Sequence, residues 1–264
     1  MHWENVYRHI LKEGDNCLDI GANEGLHSLI MKKIVGPKGK VYAFEPQPNQ
    51  FMLLSEKKKD GIFSINEAMK DFEGSTEIYY SDEDGASNKY GGSTTVKELV
   101  PFLTISLKSK NIKNVSVNCT TISAFCEREN LIPDFIKIDT EGAETEIIRG
   151  GLAVIKNHKP NILFEYGSTN EKPHPESVDI LEDCGYNFFI ATLGIKNGVR
   201  IKKEPTKFIG LQKSQLENMA PALCDILAIH NQKMHVPGHS ITAPFDNYFK
   251  FRRNLHWLFP FMRR

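Results

Sequence analysis

Three carboxylates in the second half of the chain lie where they could activate a hydroxyl group. Asp139 and Glu141 follow the apolar segment Phe135–Ile138, and Glu165 follows the apolar residues 162–164. Because parallel strands end at one edge of a sheet, we expect the three carboxylates to converge there. They could act as a general base, or their oxygens could bind magnesium or manganese. We favour the metal-free base, with Asp139 central, and assign no metal ligand.

A glycine-spaced turn near the start of the chain has the pattern of a site for a nucleoside-containing cofactor. The segment Leu18-Asp19-Ile20-Gly21-Ala22-Asn23-Glu24-Gly25 joins an apolar strand, residues 17–20, to a helix. Its two glycines would let the backbone approach a ligand, and the free amide groups of the helix would face it. About twenty residues beyond this turn, the strand at residues 41–44 ends in Glu45, the acidic position that binds a ribose diol in such units.

Asp19 indicates which cofactor the turn would bind. Dinucleotide enzymes of the G-x-G-x-x-G type have glycine at that position, where a carboxylate would repel the pyrophosphate. S-adenosylmethionine carries no phosphate, and the charge of Asp19 would attract its ammonium and sulfonium groups. We therefore expect S-adenosylmethionine as the cofactor. An ordinary strand-turn-helix corner of an α/β protein is the alternative interpretation.

Over most of residues 16–231 the chain resembles the FkbM-type S-adenosylmethionine-dependent methyltransferases. The matching segments are Asp19-Ile20-Gly21-Ala22-Asn23-Glu24-Gly25, Phe44-Glu45-Pro46, Asn66-Glu67-Ala68, Phe135-Ile136-Lys137-Ile138-Asp139-Thr140-Glu141-Gly142-Ala143-Glu144, Pro160-Asn161-Ile162-Leu163-Phe164-Glu165 and Asp225-Ile226-Leu227-Ala228-Ile229. The resemblance implies a class I methyltransferase fold, which is a Rossmann-like α/β arrangement of about seven mostly parallel strands with helices on both faces. It also implies methyl transfer to a hydroxyl of a sugar, glycan or secondary metabolite.

The residue pattern and the resemblance together assign two groups of site residues. The cofactor-binding group is Asp19, Gly21, Ala22, Asn23, Gly25, Glu45, Pro46, Glu67 and Asp139. Glu67 follows a predicted strand, where its carboxylate could accept the adenine amino group or be an exposed acid of the turn. The catalytic group is Asp139, Glu141 and Glu165, with His27 and His174 as alternative proton acceptors. The alternative functions are a metal-dependent O-methyltransferase and a cofactor-binding module without transfer activity, although the three carboxylates argue against the module.

The composition is typical of one enzyme domain without a broad affinity for nucleic acid. Of 264 residues, 40% are hydrophobic, and 33 basic side chains balance 33 acidic ones. The first residues lack the apolar core of a signal peptide, and no window approaches the length of a membrane span, so we expect a cytoplasmic protein. The five cysteines form no C-x-x-C pair, and we expect neither a disulfide nor a zinc site.

The alternation of strands and helices is interrupted at residues 71–115. A period-two strand at residues 76–80 and glycine-rich turns indicate an insertion there. The insertion either shapes the acceptor pocket at the site mouth or forms a hairpin remote from the chemistry. Residues 117–125 are predicted to form the next strand.

The methyltransferase domain is predicted to span residues 1–231. Its sheet should close with an antiparallel pair of strands at residues 187–190 and 225–229. The extension at residues 232–264 is rich in aromatic and basic side chains. Three roles are open for it: packing on its own domain, contact with a partner subunit or a membrane surface, and covering of the acceptor as a lid.

Overall fold

The computed structural model describes residues 2–57, 59–81, 93–106, 111–166, 176–192, 195–196, 199–200, 207–217 and 224–233. The helices within these residues are α1 (His2–Ile10), α2 (Leu26–Val35), α3 (Pro48–Glu56), α4 (Val100–Ser106), α5 (Ile122–Arg128), α6 (Glu144–Gly150), α7 (Leu152–His158), α8 (Glu176–Asp183) and α9 (Lys213–Glu217). The strands are β1 (Asn16–Ile20), β2 (Lys40–Phe44), β3 (Ile62–Ile65), β4 (Ala68–Met69), β5 (Gly74–Ser81), β6 (Ser93–Thr94), β7 (Ile112–Thr120), β8 (Phe135–Ile138), β9 (Asn161–Tyr166), β10 (Tyr186–Thr192), β11 (Ile195–Lys196), β12 (Val199–Arg200), β13 (Lys207–Leu211) and β14 (Cys224–His230).

Among the described residues, eight strands form the main sheet, in the order β13-β10-β14-β9-β8-β1-β2-β3. The strands from β9 to β3 run parallel, whereas β14 is antiparallel to both of its neighbours. This confirms the predicted mostly parallel sheet and its closing antiparallel pair. The sheet has one strand more than expected because β13 adds to the outer edge of β10, where Phe208 and Leu211 are buried.

Helices cover both faces of the main sheet because its strands are apolar on both sides. Leu18, Ile136 and Phe164 belong to one core, which α5, α6, α7 and α8 cover. Cys17 directly precedes Leu18, and Phe135 directly precedes Ile136. Both belong to the other core, which α1 and α2 cover. Successive strand residues point to opposite faces, so these strands are apolar runs, as is usual in buried parallel sheets. The architecture is that of the expected class I methyltransferase fold.

The insertion contributes most of a second sheet, with the order β4-β7-β5-β6. Strands β5 and β7 pair antiparallel along the whole of β5. The strand predicted at residues 117–125 is correct only as far as Thr120. Thr121 then caps α5, because its side-chain oxygen accepts the N–H of Ala124 at 2.9 Å. The chain is therefore helical where a longer strand was expected.

Helix α1 is not among the predicted elements, although it completes one face of the fold. Val6 and Tyr7 are fully buried, and Ile10 belongs to the same core. The ring of Tyr7 meets that of Phe135 edge-on, with 5.7 Å between centroids. The spacing of these apolar residues is that of a helix face, which is the signal that could have identified α1.

The expectations about membrane spans, cysteines, His174 and the C-terminal extension can be compared with the structure only in part. No helix in the described ranges is both long enough and apolar enough to cross a membrane. Cys17, Cys119, Cys126 and Cys184 are free thiols. His174 and residues 234–264 of the extension lie outside the described residues. The domain boundary near residue 231 therefore stays a prediction.

Candidate active site

A cavity of about 510 Å³ opens at the carboxyl ends of β1, β2 and β8. Ligands bind at this edge in open α/β sheets, and the volume is typical of a small-molecule site. Of the predicted site residues, those that line it are Gly21, Ala22, Asn23, Glu45, Pro46, Asp139 and Glu141. The remaining ones, Asp19, Gly25, Glu67 and Glu165, are not among its lining residues.

Glu45 ends β2 at the cavity wall and is 5% exposed. Its two carboxylate oxygens accept the backbone N–H groups of Asn23 and Gln47, at 2.8 and 2.9 Å. Burial raises the pKa of Glu45 to about 7, although these hydrogen bonds oppose the shift. Each oxygen keeps a further lone pair, so the carboxylate can also accept the hydroxyl groups of a ribose diol.

Asn23 and Thr95 present polar atoms without a partner at the cavity. Both residues line it, and Asn23 Oδ1 and Thr95 Oγ1 are buried without a hydrogen-bond partner among the residues that the structure describes. A buried polar atom without a partner is costly unless a ligand or water satisfies it. The cavity is therefore suited to a polar ligand at the β1–α2 turn and beside β6.

Gly21 and Gly25 serve packing within the protein. Their φ angles are 74° and 81°, in the region that favours glycine. A Cβ atom on Gly21 would lie 1.9 Å from the backbone oxygen of Asp139, and one on Gly25 would lie 2.6 Å from Leu54 Cδ1. The Gly21 N–H binds the carbonyl of Phe44 at 3.1 Å. Gly21 thus brings the end of β1 against Asp139, and because Gly21 also lines the cavity, the expected approach of its backbone to a ligand stays a prediction.

Asp19 is fully buried and is paired inside the protein. Ser28 Oγ donates to Asp19 Oδ2 at 2.5 Å, and Lys137 Nζ lies 3.3 Å from Asp19 Oδ1. Lys137 Nζ also lies 3.3 Å from Asp139 Oδ2 and donates to the carbonyl of Gly21 at 3.0 Å. This position does not support the expected direct attraction between Asp19 and the charges of the cofactor.

Glu67 is not among the residues that line the cavity, although the next residue, Ala68, is. Its Oε2 accepts a hydrogen bond from Arg128 Nη2 at 2.9 Å. The guanidinium of Arg128 lies over the ring of Phe125, 5.3 Å from its centroid, which holds it beside Glu67. The Glu67 carboxylate is thus already paired within the protein, and its contact with adenine stays a prediction.

The three predicted catalytic carboxylates do converge. Oxygens of Asp139, Glu141 and Glu165 lie within 4.8 Å of one another. Burial, followed by repulsion from Asp139, raises the pKa of Glu141 to about 8. Burial, followed by repulsion from Glu141, raises the pKa of Glu165 to about 9. Glu165 belongs to β9 itself, which extends beyond the predicted strand.

The turn after β8 is organised by Glu144. Its carboxylate accepts the backbone N–H groups of Thr140 and Gly142 and the Thr140 hydroxyl, at 2.9 to 3.2 Å. Glu141 has a φ of 57°, and its carbonyl accepts the hydroxyl of Thr94 at 2.9 Å. Glu144 thus supplies the backbone contacts that could have occupied Glu141, whose carboxylate joins the acidic cluster.

His27 lines the cavity from the first turn of α2. Its Nδ1 lies 2.5 Å from the Tyr7 hydroxyl, and the ring of Trp3 lies 5.2 Å away between centroids. Burial, followed by the charge of Lys137, lowers the pKa of His27 to about 4. The imidazole is therefore neutral near pH 7, with one nitrogen bound to Tyr7 from α1.

The second sheet forms part of the cavity wall. Ala68 and Met69 of β4 line the cavity, and the insertion itself contributes Ile78, Ser93, Thr94 and the following residue Thr95. The insertion therefore lies at the site mouth, and the alternative of a hairpin remote from the chemistry is wrong.

Sequence reasoning missed Lys137, Glu144 and Thr95 as site residues. Lys137 is 3% exposed within an apolar strand, and it precedes Asp139 by two residues. This spacing puts both side chains on one side of the strand, which is a signal for a buried ion pair. Glu144 and Thr95 carry no comparable signal, because their roles depend on the folds of the turn and of the insertion.

The family model described as "Methyltransferase FkbM domain" matches residues 19–188. A comparison with curated proteins gives no match. The FkbM methyltransferase structure from Methylobacillus flagellatus KT is 15% identical, with a TM-score of 0.40 over 60% of this chain and 36% of that one. The chain thus spans about a third of that protein's length. Fibrillarin from Aeropyrum pernix, solved with S-adenosyl-L-methionine, is 14% identical, with a TM-score of 0.42 over 86% of this chain and 73% of that one.

The region that the family model matches contains the turn at Gly21, the strand end at Glu45 and all three clustered carboxylates. The match covers well over half of the 264 residues. The chain therefore belongs to the FkbM family of S-adenosylmethionine-dependent methyltransferases.

Proposed function

We propose that the protein transfers a methyl group from S-adenosylmethionine to a hydroxyl of a sugar, glycan or secondary metabolite. The observation that carries the proposal is the convergence of Asp139, Glu141 and Glu165 within 4.8 Å at the cavity edge. A hydroxyl holds its proton tightly, so its attack on a methyl group needs a base beside it. Asp139 and Glu141 line the cavity, and Glu165 supports them from β9.

The cofactor supplies an electrophilic methyl group, and the protein supplies its binding and orientation. The residues fit this role, because Glu45 can accept the ribose diol while Ala22, Asn23 and Pro46 line the same part of the site. Asn23 Oδ1 offers a further unsatisfied acceptor. In-line methyl transfer depends mainly on positioning and electrostatics, so a preformed wall of this kind accounts for much of the expected catalysis.

The acidic cluster is suited to removing a proton from an alcohol. The raised pKa values of Glu141 and Glu165, about 8 and about 9, make their ionised forms stronger bases than ordinary carboxylates, and the ionised fraction of each grows as the pH rises toward these values. Ser93, Thr95 and Thr140, which carry hydroxyl groups, line the cavity as well. Together they support a polyhydroxylated acceptor, such as a sugar, over an apolar one.

A metal-dependent O-methyltransferase is the second candidate, because the same three oxygens are close enough to share one cation. Magnesium and manganese prefer such oxygen ligands. A bound cation would lower the pKa of Glu141 and Glu165 and stabilise the attacking oxygen. A cofactor-binding module without transfer activity would leave this cluster without a purpose.

One experiment separates these candidates. The protein is incubated with labelled S-adenosylmethionine and a panel of glycans and polyketides, and the products are identified by mass spectrometry. We expect the label to be transferred to an oxygen of an acceptor, and we expect this transfer to continue in the presence of EDTA. Loss of transfer in EDTA with recovery in magnesium or manganese would favour the metal-dependent enzyme. Cofactor binding without transfer to any hydroxyl compound would favour the binding module.

The cellular location, the domain boundary and the role of the C-terminal extension are proposals as well. We propose a cytoplasmic location and a methyltransferase domain of residues 1–231. The aromatic and basic extension at residues 232–264 is a candidate for oligomer or membrane-surface contact. Truncation after residue 231 with unchanged thermal stability and unchanged turnover would exclude both packing on the domain and a lid, leaving such contacts.

A further inference from the structure

We propose that Lys137 is a positioning residue, which fixes the β1–α2 turn and the Asp139 carboxylate relative to each other, and that Asp19 balances the charge of Lys137 without binding the cofactor. The inference rests on the proposed use of the cavity by S-adenosylmethionine. It changes the role of Asp19 from a direct cofactor ligand to a support for a buried cation.

The Lys137 ammonium lies among three oxygen acceptors of the protein. Its Nζ donates a hydrogen bond to the Gly21 carbonyl at 3.0 Å and forms ion pairs with the Asp19 and Asp139 carboxylates at 3.3 Å each. The side chain is 4% exposed. The ammonium thus contacts the ends of β1 and β8 at once, at one wall of the cavity.

The charges explain why a lysine is stable at this buried position. Burial opposes its charge, but Asp139 and Asp19 together raise the pKa of Lys137 above its ordinary value. Asp19 is in turn held by Ser28 from α2. The network therefore ties together β1, α2 and β8, and its anchor Asp19 does not line the cavity.

The groups that Lys137 holds are those that a ligand would meet. Gly21 and Asp139 both line the cavity, and they follow strands β1 and β8, which lie far apart in sequence. Their relative position depends on contacts across the two strand ends. A site that is fixed before binding loses less free energy when it orders around its ligand. Loss of Lys137 should therefore weaken cofactor binding, because Gly21 and Asp139 would no longer be held relative to each other.

The test compares the wild type, D19N and the double variant D19N/K137M. Lys137→Met alone would leave the Asp19 charge buried without a cation, and the double variant avoids this defect. Asp19, Lys137 and Asp139 carry a net charge of −1 (two acids and one base), and Asp139 alone carries the same −1 in the double variant. Asparagine at position 19 still accepts the Ser28 hydroxyl. A difference between the wild type and the double variant thus reports position and not net charge, whereas D19N has a net charge of 0 at these three positions.

Calorimetry measures the Kd for S-adenosylmethionine and for S-adenosylhomocysteine, and thermal denaturation measures the Tm. We expect D19N to bind both within about threefold of the wild type, because Lys137 keeps Gly21 and Asp139 in place. We expect the double variant to bind both at least about tenfold more weakly, with a Tm close to that of D19N.

Two results would overturn the proposal. If D19N binds tenfold more weakly and the double variant no more weakly still, Asp19 is a direct ligand. If the double variant binds like the wild type, Lys137 is only structural. Should the double variant not fold, D19N still decides the role of Asp19. A wild-type protein that binds neither compound would instead contradict the proposed function.

Discussion

Glu45 should be both the ribose ligand and a buried acid that makes the cofactor-free protein sensitive to pH. The change that tests this is Glu45→Gln, which keeps the shape of the side chain and mimics its neutral form. The pKa of Glu45 is raised from 4.5 to about 7, mainly by burial. A raised pKa means that the folded state holds the proton more tightly than the unfolded chain does. The stability from this group is therefore present below pH 4.5 and is lost as the pH rises through 7.

The size of the effect follows from the shift. A change of about 2.5 pKa units corresponds to about 3 kcal/mol of unfolding free energy. Between pH 5 and pH 8, the wild type should lose most of this amount relative to Glu45→Gln. Glu141 and Glu165 also have raised pKa values, but they are present in both proteins and cancel in the comparison.

Cofactor binding should show the opposite trend. Hydroxyl donors of a ribose favour the ionised form of Glu45, so the affinity of the wild type for S-adenosylmethionine should rise from pH 5 to pH 8. At pH 8, Glu45→Gln should bind about 10- to 100-fold more weakly, because a charge-assisted hydrogen bond contributes about 1.5 to 3 kcal/mol. At pH 5, where Glu45 is largely neutral, the same substitution should cost much less.

Urea denaturation at the two pH values measures the stability, and titration calorimetry measures the affinity. Glu56→Gln, which changes an exposed acid at the end of α3, is the matched control and should reproduce the wild type in both. If Glu45→Gln has the same dependence of stability on pH as the wild type, Glu45 is not a buried acid with a raised pKa. If its affinity loss is the same at pH 5 and pH 8, the carboxylate does not bind the diol in its charged form.

Three further predictions concern the turn, the base and the surface acid. Gly21→Ala should lower the free energy of unfolding by about 2 to 4 kcal/mol, because a Cβ at this position meets the Asp139 backbone oxygen. Gly14 has a similar φ but open space around it, so Gly14→Ala should lower the free energy of unfolding clearly less in the same urea titration. Equal losses for the two variants would contradict the packing argument. Asp139→Asn should lower turnover by about 100-fold while cofactor affinity changes far less, and near-normal turnover on an identified acceptor would exclude Asp139 as the base. Glu67→Gln should change the calorimetric affinity for S-adenosylmethionine by less than about twofold, since its carboxylate pairs with a surface cation, and a tenfold loss would support its predicted contact with adenine.

The parts of the site that could be predicted are those that depend on strand ends. Glu45, Asp139 and Glu165 were placed correctly at one edge, because a strand and the residue that follows it are local features, and parallel strands share an edge. The roles of Asp19 and Lys137 could not be predicted in the same way. Their pairing joins β1 to β8 across more than a hundred residues, and only the assembled sheet brings the two side chains together.

The prediction of local structure was wrong or incomplete where a single contact decides between two backbone conformations. Thr121 ends the expected strand, because its side chain caps a helix that the apolar pattern of residues 117–125 does not reveal. Glu144 similarly accepts the backbone N–H groups of Thr140 and Gly142, and this contact decides the conformation of the turn without a signal in the sequence. The sequence before the additional strand β13 shows no clear hydrophobic periodicity. The strand is placed by its antiparallel pairing with β10, which the sequence does not reveal.

The second sheet is built from one uninterrupted stretch of chain, from β4 to β7, and the described strands β3 and β8 of the main sheet lie entirely before and after it. The cofactor turn and the clustered carboxylates therefore lie outside the stretch that carries Ser93 and Thr95. Two crossovers in a gene, one on each side of this stretch, would exchange this part of the cavity wall as a single block. Such an exchange would leave unchanged the strands that carry the turn at Gly21 and the clustered carboxylates.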